Sequence, residues 1–334
     1  MSNDSDYKKE MMKDAALRAS FLELDVDALP ESGKSKEYDS TRFQNLELDG
    51  REFPNEDHKQ QPKPTTVETK LYEKRFGAQR EPQPQIDLSH YQPQEVFILK
   101  YDDFGIELTR KVNEIFRGTK AEVPTSLPNQ EIPRGNILVR SAYLTTIVNN
   151  QELRSLGAYP ITPLQSEALL QQNRLPKDPT KYWEDLALIL YDDQGANSRE
   201  AQALKESIRQ HQKELNLSDL DLEQRLLVVN SGLELDPSSK YGVKPVVIEG
   251  ITKVFVHETL NRTGNNKFNY GSENGLPSTS ELGTGDRTLW MPSQNNNPGL
   301  RVLVRGGGLN LGARGEYLDY SYVVGRVSFA KNSP

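Results

Sequence analysis

Three acids sit where carboxylates could meet. Asp192 and Asp193 directly follow the apolar run Leu186–Tyr191, and Glu249 ends the run Pro245–Ile248. Asn230 ends an intervening run, Leu226–Val229. Carboxylate oxygens are the ligands a hard cation such as Mg²⁺ takes. A metal held there could clamp a phosphoryl group. A helix starting near Asn197 would add free backbone N–H groups, which favour an anion. Asp192, Asp193 and Glu249 are therefore the candidate Mg²⁺ ligands. The competing reading is local: Asp-Asp-Gln-Gly after a strand is also a common turn former.

Other motifs carry less. Gly33-Lys34-Ser35 ends like a phosphate-binding loop, but that loop needs a glycine where Ala28 stands. Arg305-Gly306-Gly307-Gly308 occurs once, between two expected strands, and reads as a glycine turn. His58, His90, His211 and His257 have no metal-ligand spacing. His257 follows an expected strand and is a weaker catalytic candidate. No Gly-x-Ser-x-Gly or His-Glu-x-x-His motif occurs.

The acids meet only if the elements around them are arranged as a parallel unit. Leu186–Tyr191, a helix from about Asn197, Leu226–Asn230 and Pro245–Glu249 read as strand, helix, strand, strand. Unbroken apolar runs are the mark of strands buried on both faces, as in parallel sheets. Such sheets bind ligands at the carboxyl ends of their strands.

Order is expected from about residue 91. Glu95–Leu99 reads as a strand. Ile106, Leu108, Val112, Ile115 and Phe116 fit a helix that Gly118 stops. Ile137–Val148 is rich in β-branched and aromatic residues and is read as a strand or hairpin. Thr162-Pro163-Leu164-Gln165 is a capping box with proline at the first helical position. Asn197 and Glu200 look like a second cap, followed by an apolar face of Ala201, Leu204 and Ile208. After residue 253 short strand-like runs alternate with glycine and asparagine: Lys253–Val256, Thr288–Trp290, Leu300–Val304, Tyr317–Val324 and Arg326–Phe329. That pattern predicts a mostly antiparallel β part. Trp183, Trp290, Tyr320 and Tyr322 read as core anchors.

The fold class expected is mixed α/β (α+β). Residues 91–252 form an α/β body, and residues 253–334 a Gly-rich β region that could share its core. Residues 1–90 read as a largely disordered tail, with prolines at 62, 64, 82 and 84 and a charge balance of −5. Within it, 7–24 can form an amphipathic helix. Its Met11, Met12, Phe21 and Leu22 are the candidate partner-binding residues.

Bulk properties narrow the function. The absence of cysteine excludes disulfides, thiolate metal sites and Cys nucleophiles. A net charge of −7 argues against nucleic acid as a partner. No apolar run is long enough to span a bilayer, so no membrane partner is expected and the location expected is cytoplasmic. No cofactor is expected unless the Mg²⁺ site exists. The leading expectation is a non-catalytic binding or scaffold protein that engages a protein partner through its tail. The alternatives are a Mg²⁺-dependent phosphoryl-transfer or phosphate-ester-cleaving enzyme, and a structural subunit of a larger assembly.

Overall fold

Strand β3 (Glu184–Leu190) is buried at every position, and its side chains feed two cores. Leu188 and Leu190 join Val228, Leu300 and Val302 on one face. Ala187 and Ile189 join Leu227, Val229 and Leu303 on the other. A strand covered on both faces shows no polar alternation, so it reads as one apolar run whatever the direction of its neighbours.

The computed structural model describes residues 87–124, 130–293, 298–314, 317–320 and 324–331. All belong to one compact unit, 67–334. The helix expected at 7–24, with Met11, Met12, Phe21 and Leu22, lies outside the described residues.

The fold is mixed α/β. β3 belongs to a seven-stranded sheet with β4 (Leu226–Val229), β7 (Lys253–Val256), β8 (Gly264–Phe268), β9 (Arg287–Met291), β10 (Leu300–Arg305) and β11 (Leu311–Arg314), in the order β7-β4-β3-β10-β11-β9-β8. Only β9 and β11 run parallel. β3 pairs antiparallel with both β4 and β10. The expected parallel unit is thus corrected. An antiparallel sheet produces the same apolar runs here because both of its faces are covered. One is covered by helices, and the other by the segment that carries Leu260, Leu276 and Leu282.

Helix α1 (Asp103–Phe116) is capped by the Asp102 carboxylate, which accepts from the Gly105 amide. Gly118, at φ 77°, follows its end. Helix α2 (Ile137–Asn149) replaces the strand or hairpin expected there. Every residue from Ile137 to Ile147 is buried, so the helix lacks the apolar stripe that identifies helices in sequence. Its β-branched residues cost some intrinsic propensity, and packing on α1 and β3 overrides that weak preference.

A short helix α3 (Gln151–Ser155) leads to β2 (Ala158–Pro160). β1 (Val96–Ile98), β12 (Ser328–Lys331) and β2 form a second, three-stranded sheet with β12 central. Phe329 of β12 is fully buried between Phe97 and Tyr143. Helix α4 (Pro163–Gln171) has the complete Thr162–Gln165 capping box that the sequence predicts.

Helix α5 (Ser198–Gln210) buries Ala201, Leu204 and Ile208 as expected. Its entry differs from the expectation. Asn197 is left-handed at φ 56° and makes no cap. Its side chain instead donates to the Leu300 carbonyl and accepts from the Tyr241 hydroxyl. β5 (Gly232–Leu235) and β6 (Val243–Val246) make a separate antiparallel hairpin, so the third expected strand of the parallel unit is in another sheet. Residues 317–320 form a turn rather than a strand. Because β10 is bonded to β3, the C-terminal region and the body share one sheet. Among the described residues no helix is long and apolar enough to cross a membrane.

Candidate functional site: a buried polar centre beside strand β3

A bulge in β3 sets which face each of two adjacent acids takes. Ala187 lies opposite Leu303 and Asp185 opposite Val304, which leaves Leu186 as the extra residue. Bulges re-aim side chains and are over-represented beside active sites. Here Asp185 turns toward the helices and Glu184 toward α4 and β12, since successive strand residues point to opposite faces.

Glu184 is fully closed. One carboxylate oxygen lies 2.6 Å from Arg305 and the other accepts from the Ser328 amide at 2.6 Å. Arg305, at 0% exposure, also donates to the Ser166 hydroxyl and stacks over the Tyr182 ring at 4.9 Å. Burial opposes its charge, but Glu184 and Tyr182 more than restore it, and its pKa is raised. The single Arg-Gly-Gly sequence is therefore a strand end locked by an ion pair. Gly306 follows because a Cβ there would fall 2.8 Å from the Trp183 ring. A second closed pair, Arg287–Glu167, is bidentate at 2.5 and 2.7 Å and ties α4 to β9.

Asp185 and Arg140 are open by comparison. Arg140 lies in the first turns of α2 and is 1% exposed. One nitrogen, Nη2, donates to the Ile161 carbonyl and to Asn230 Oδ1, each at 3.0 Å. The other, Nη1, is buried and has no partner among the described residues. Arg140 makes no ion pair there, although Asp185 and Glu184 are near enough to favour its charge. Burial dominates and lowers its pKa to about 10. Asp185 is 8% exposed. Burial pushes it up to about 8, opposed by the Ile137 amide and by Arg140. A carboxyl group of that kind is largely protonated at neutral pH and can donate a hydrogen bond. Asn230, at φ 58°, and the contact between the Ser141 and Ser231 hydroxyls at 3.2 Å complete the polar lining.

The structure does not bring the expected Mg²⁺ ligands together. Asp192 and Asp193 lie where β4 begins, because Leu190 is opposite Leu226. Glu249 precedes β7, whose first residue, Lys253, is opposite Val229 at the far end of β4. The acids thus flank opposite ends of the sheet. Asp192 accepts from the Gln194 amide at 2.8 Å, forming a turn. Asp193 is held below the usual carboxylate range by Gln194 and by Lys205, whose Nζ lies 3.3 Å away. Glu249 is exposed. Among the described residues no group of three or more His, Asp or Glu side chains could hold a metal ion.

His257 is buried, with its Nε2 3.6 Å from Glu273 and its Nδ1 accepting from the Thr259 amide. Burial lowers its pKa and favours the neutral ring.

Sequence reasoning missed Arg140 and Asp185. The available signal was an arginine inside the otherwise apolar stretch 137–148, and an acid pair opening a fully buried strand. No family model, no curated protein and no solved structure matches this chain.

Proposed function

We propose that the protein is a non-catalytic binding or scaffold protein. The observation that carries this reading is the turn at residues 317–320. It is pinned from below. Leu318 is fully buried, and its amide donates to the Tyr241 hydroxyl at 3.0 Å. The Asp319 carbonyl accepts from Asn136, and its carboxylate pairs with Lys120 at 3.3 Å. Above that anchor Tyr317 is 57% and Tyr320 55% exposed. Lys240 lies 5.1 Å from the Tyr317 ring and 4.8 Å from the Tyr241 ring.

Tyrosine is enriched at interfaces because it gives a large contact area with few rotatable bonds. A fixed turn lowers the entropy lost on binding. The closed pairs Glu184–Arg305 and Glu167–Arg287 join separate elements, a structural use of charge that fits the same reading.

The test places a photo-crosslinking amino acid at position 317 of the full chain in its own cells, and at the exposed β7 position 253 as a control. One adduct of defined mass, formed at 317 and absent at 253, is the expected result. No adduct, or the same set from both positions, would count against the reading.

A further inference from the structure

The geometry points to a binding site for one small carboxylate, of formate or acetate size, between the Arg140 guanidinium and the Asp185 carboxyl. This site is separate from the tyrosine turn and does not depend on it.

Buried charges in proteins are paired, and buried donors are hydrogen-bonded. Arg140 meets these conditions only in part among the described residues. Its Nη2 is taken by Ile161 and Asn230. Its Nη1 offers donors with no acceptor. Arg305, at the end of β10 and at similar depth, has its carboxylate at 2.6 Å. A bound anion would supply the acceptor that Arg140 Nη1 lacks among the described residues.

The chemistry of the surroundings selects the class. Arginine donors match a carboxylate, and the preference is stronger where water is excluded. The groups facing the centre are Arg140 from α2 and Asp185 with Glu184 from β3. Glu184 is already committed to Arg305 and the Ser328 amide. Asp185 in its protonated form adds a donor to a second ligand oxygen. It also removes the negative charge that would repel the ligand. The N-terminus of α2 adds a positive dipole at the same place. Size follows from burial: with Arg140 at 1% and Asp185 at 8% exposure, the site suits a ligand of few atoms.

The test is thermal and urea unfolding of the full chain in rising sodium formate, with ionic strength held constant by sodium fluoride. The native protein, Arg140→Met and Asp185→Asn are compared. A ligand of the native state shifts the unfolding equilibrium about a hundredfold when present at a hundred times its dissociation constant. That shift is expected in the native chain and in Asp185→Asn, whose amide keeps a donor, and is lost in Arg140→Met. Equal shifts in all three, or none, would overturn the site and leave Nη1 to an internal water.

Equilibrium dialysis with labelled formate keeps the proposal open to refutation if Arg140→Met does not fold. One formate per native chain, displaced by acetate, is expected; no saturable binding would overturn it. Binding to the native chain should weaken as pH rises through about 8, where Asp185 loses its proton. Binding to Asp185→Asn should not follow that profile.

Discussion

Arg305 and Arg140 flank the same stretch of β3, yet they stand in opposite situations. Arg305 touches Glu184, Ser166 and the Tyr182 ring, and its charge is stabilised despite complete burial. Arg140 is equally deep, but among the described residues it reaches only one carbonyl and one amide oxygen, and burial disfavours its charge. The acids beside them divide the same way. Glu184 has both oxygens engaged, whereas Asp185 accepts from the Ile137 amide and has no cation in contact among the described residues. The difference teaches that depth alone does not make a charged residue structural. What decides is whether its hydrogen-bonding capacity is consumed within the fold.

The largest expected effect breaks the closed side. Arg305→Met leaves Glu184 buried without its cation, and breaking one partner of a buried pair costs about 3–5 kcal/mol. Arg140→Met removes a charge that has no ion pair among the described residues, but it leaves the Ile161 carbonyl and Asn230 Oδ1 without their donor, so the loss should be about 1–3 kcal/mol. Urea unfolding at pH 7 without added carboxylate measures both. Equal losses would erase the distinction between the two arginines.

The pH dependence sharpens the comparison from the acid side. The folded pKa of Asp185, about 8, lies above its ordinary value of 3.8. Between those limits the native state holds a proton that the unfolded chain has released. Stability therefore falls as pH rises from about 4 to 8, by at most about 1.4 kcal/mol per pH unit for one proton. Below that window both states are protonated and the contribution is level. Asp185→Asn should gain on the native chain as pH goes from 5 to 8, read as the difference between their unfolding free energies. Parallel profiles would show that Asp185 is ionised in the fold and paired in some other way.

The legibility of the sequence follows this division. The capping box at Thr162 was readable because it is local: both hydrogen bonds fall within four residues. Strands β3, β4, β7 and β10 were readable as apolar runs for the same reason. Their directions were not, because burial on both faces gives the same pattern in parallel and antiparallel sheets. The α2 helix was hidden by its complete burial, which removes the 3.6-residue stripe. The polar centre was hidden because Asp185 is aimed by a bulge at Leu186 that exists only in its pairing with β10. Met11, Met12, Phe21 and Leu22 remain an expectation from sequence, outside the described residues.

A smaller effect is expected at the readable cap. Thr162→Ala removes the acceptor for the Gln165 amide and should cost about 1 kcal/mol. The change lies beside α4, which carries Ser166 and Glu167 to the closed pairs. Thr162→Ser should restore most of the loss in the same unfolding assay. A loss well above that range in Thr162→Ala would mean that the cap also holds the Arg305 and Arg287 locks in place.

The smallest effect is expected at the opposite end of the sheet, where the sequence placed its metal site. Asp192 there makes a turn with the Gln194 amide, and asparagine can accept the same hydrogen bond. Asp192→Asn should therefore change stability by less than about 0.5 kcal/mol, as surface substitutions usually do. A few millimolar Mg²⁺ or Mn²⁺ should leave both proteins melting at the same temperature, because Glu249 precedes β7 at the other end of β4. A metal-dependent rise in the native chain that vanishes in Asp192→Asn would reverse the comparison. The carboxylates left on the surface at Asp192 and Asp193, rather than the open centre at Arg140, would then be where this protein meets a ligand.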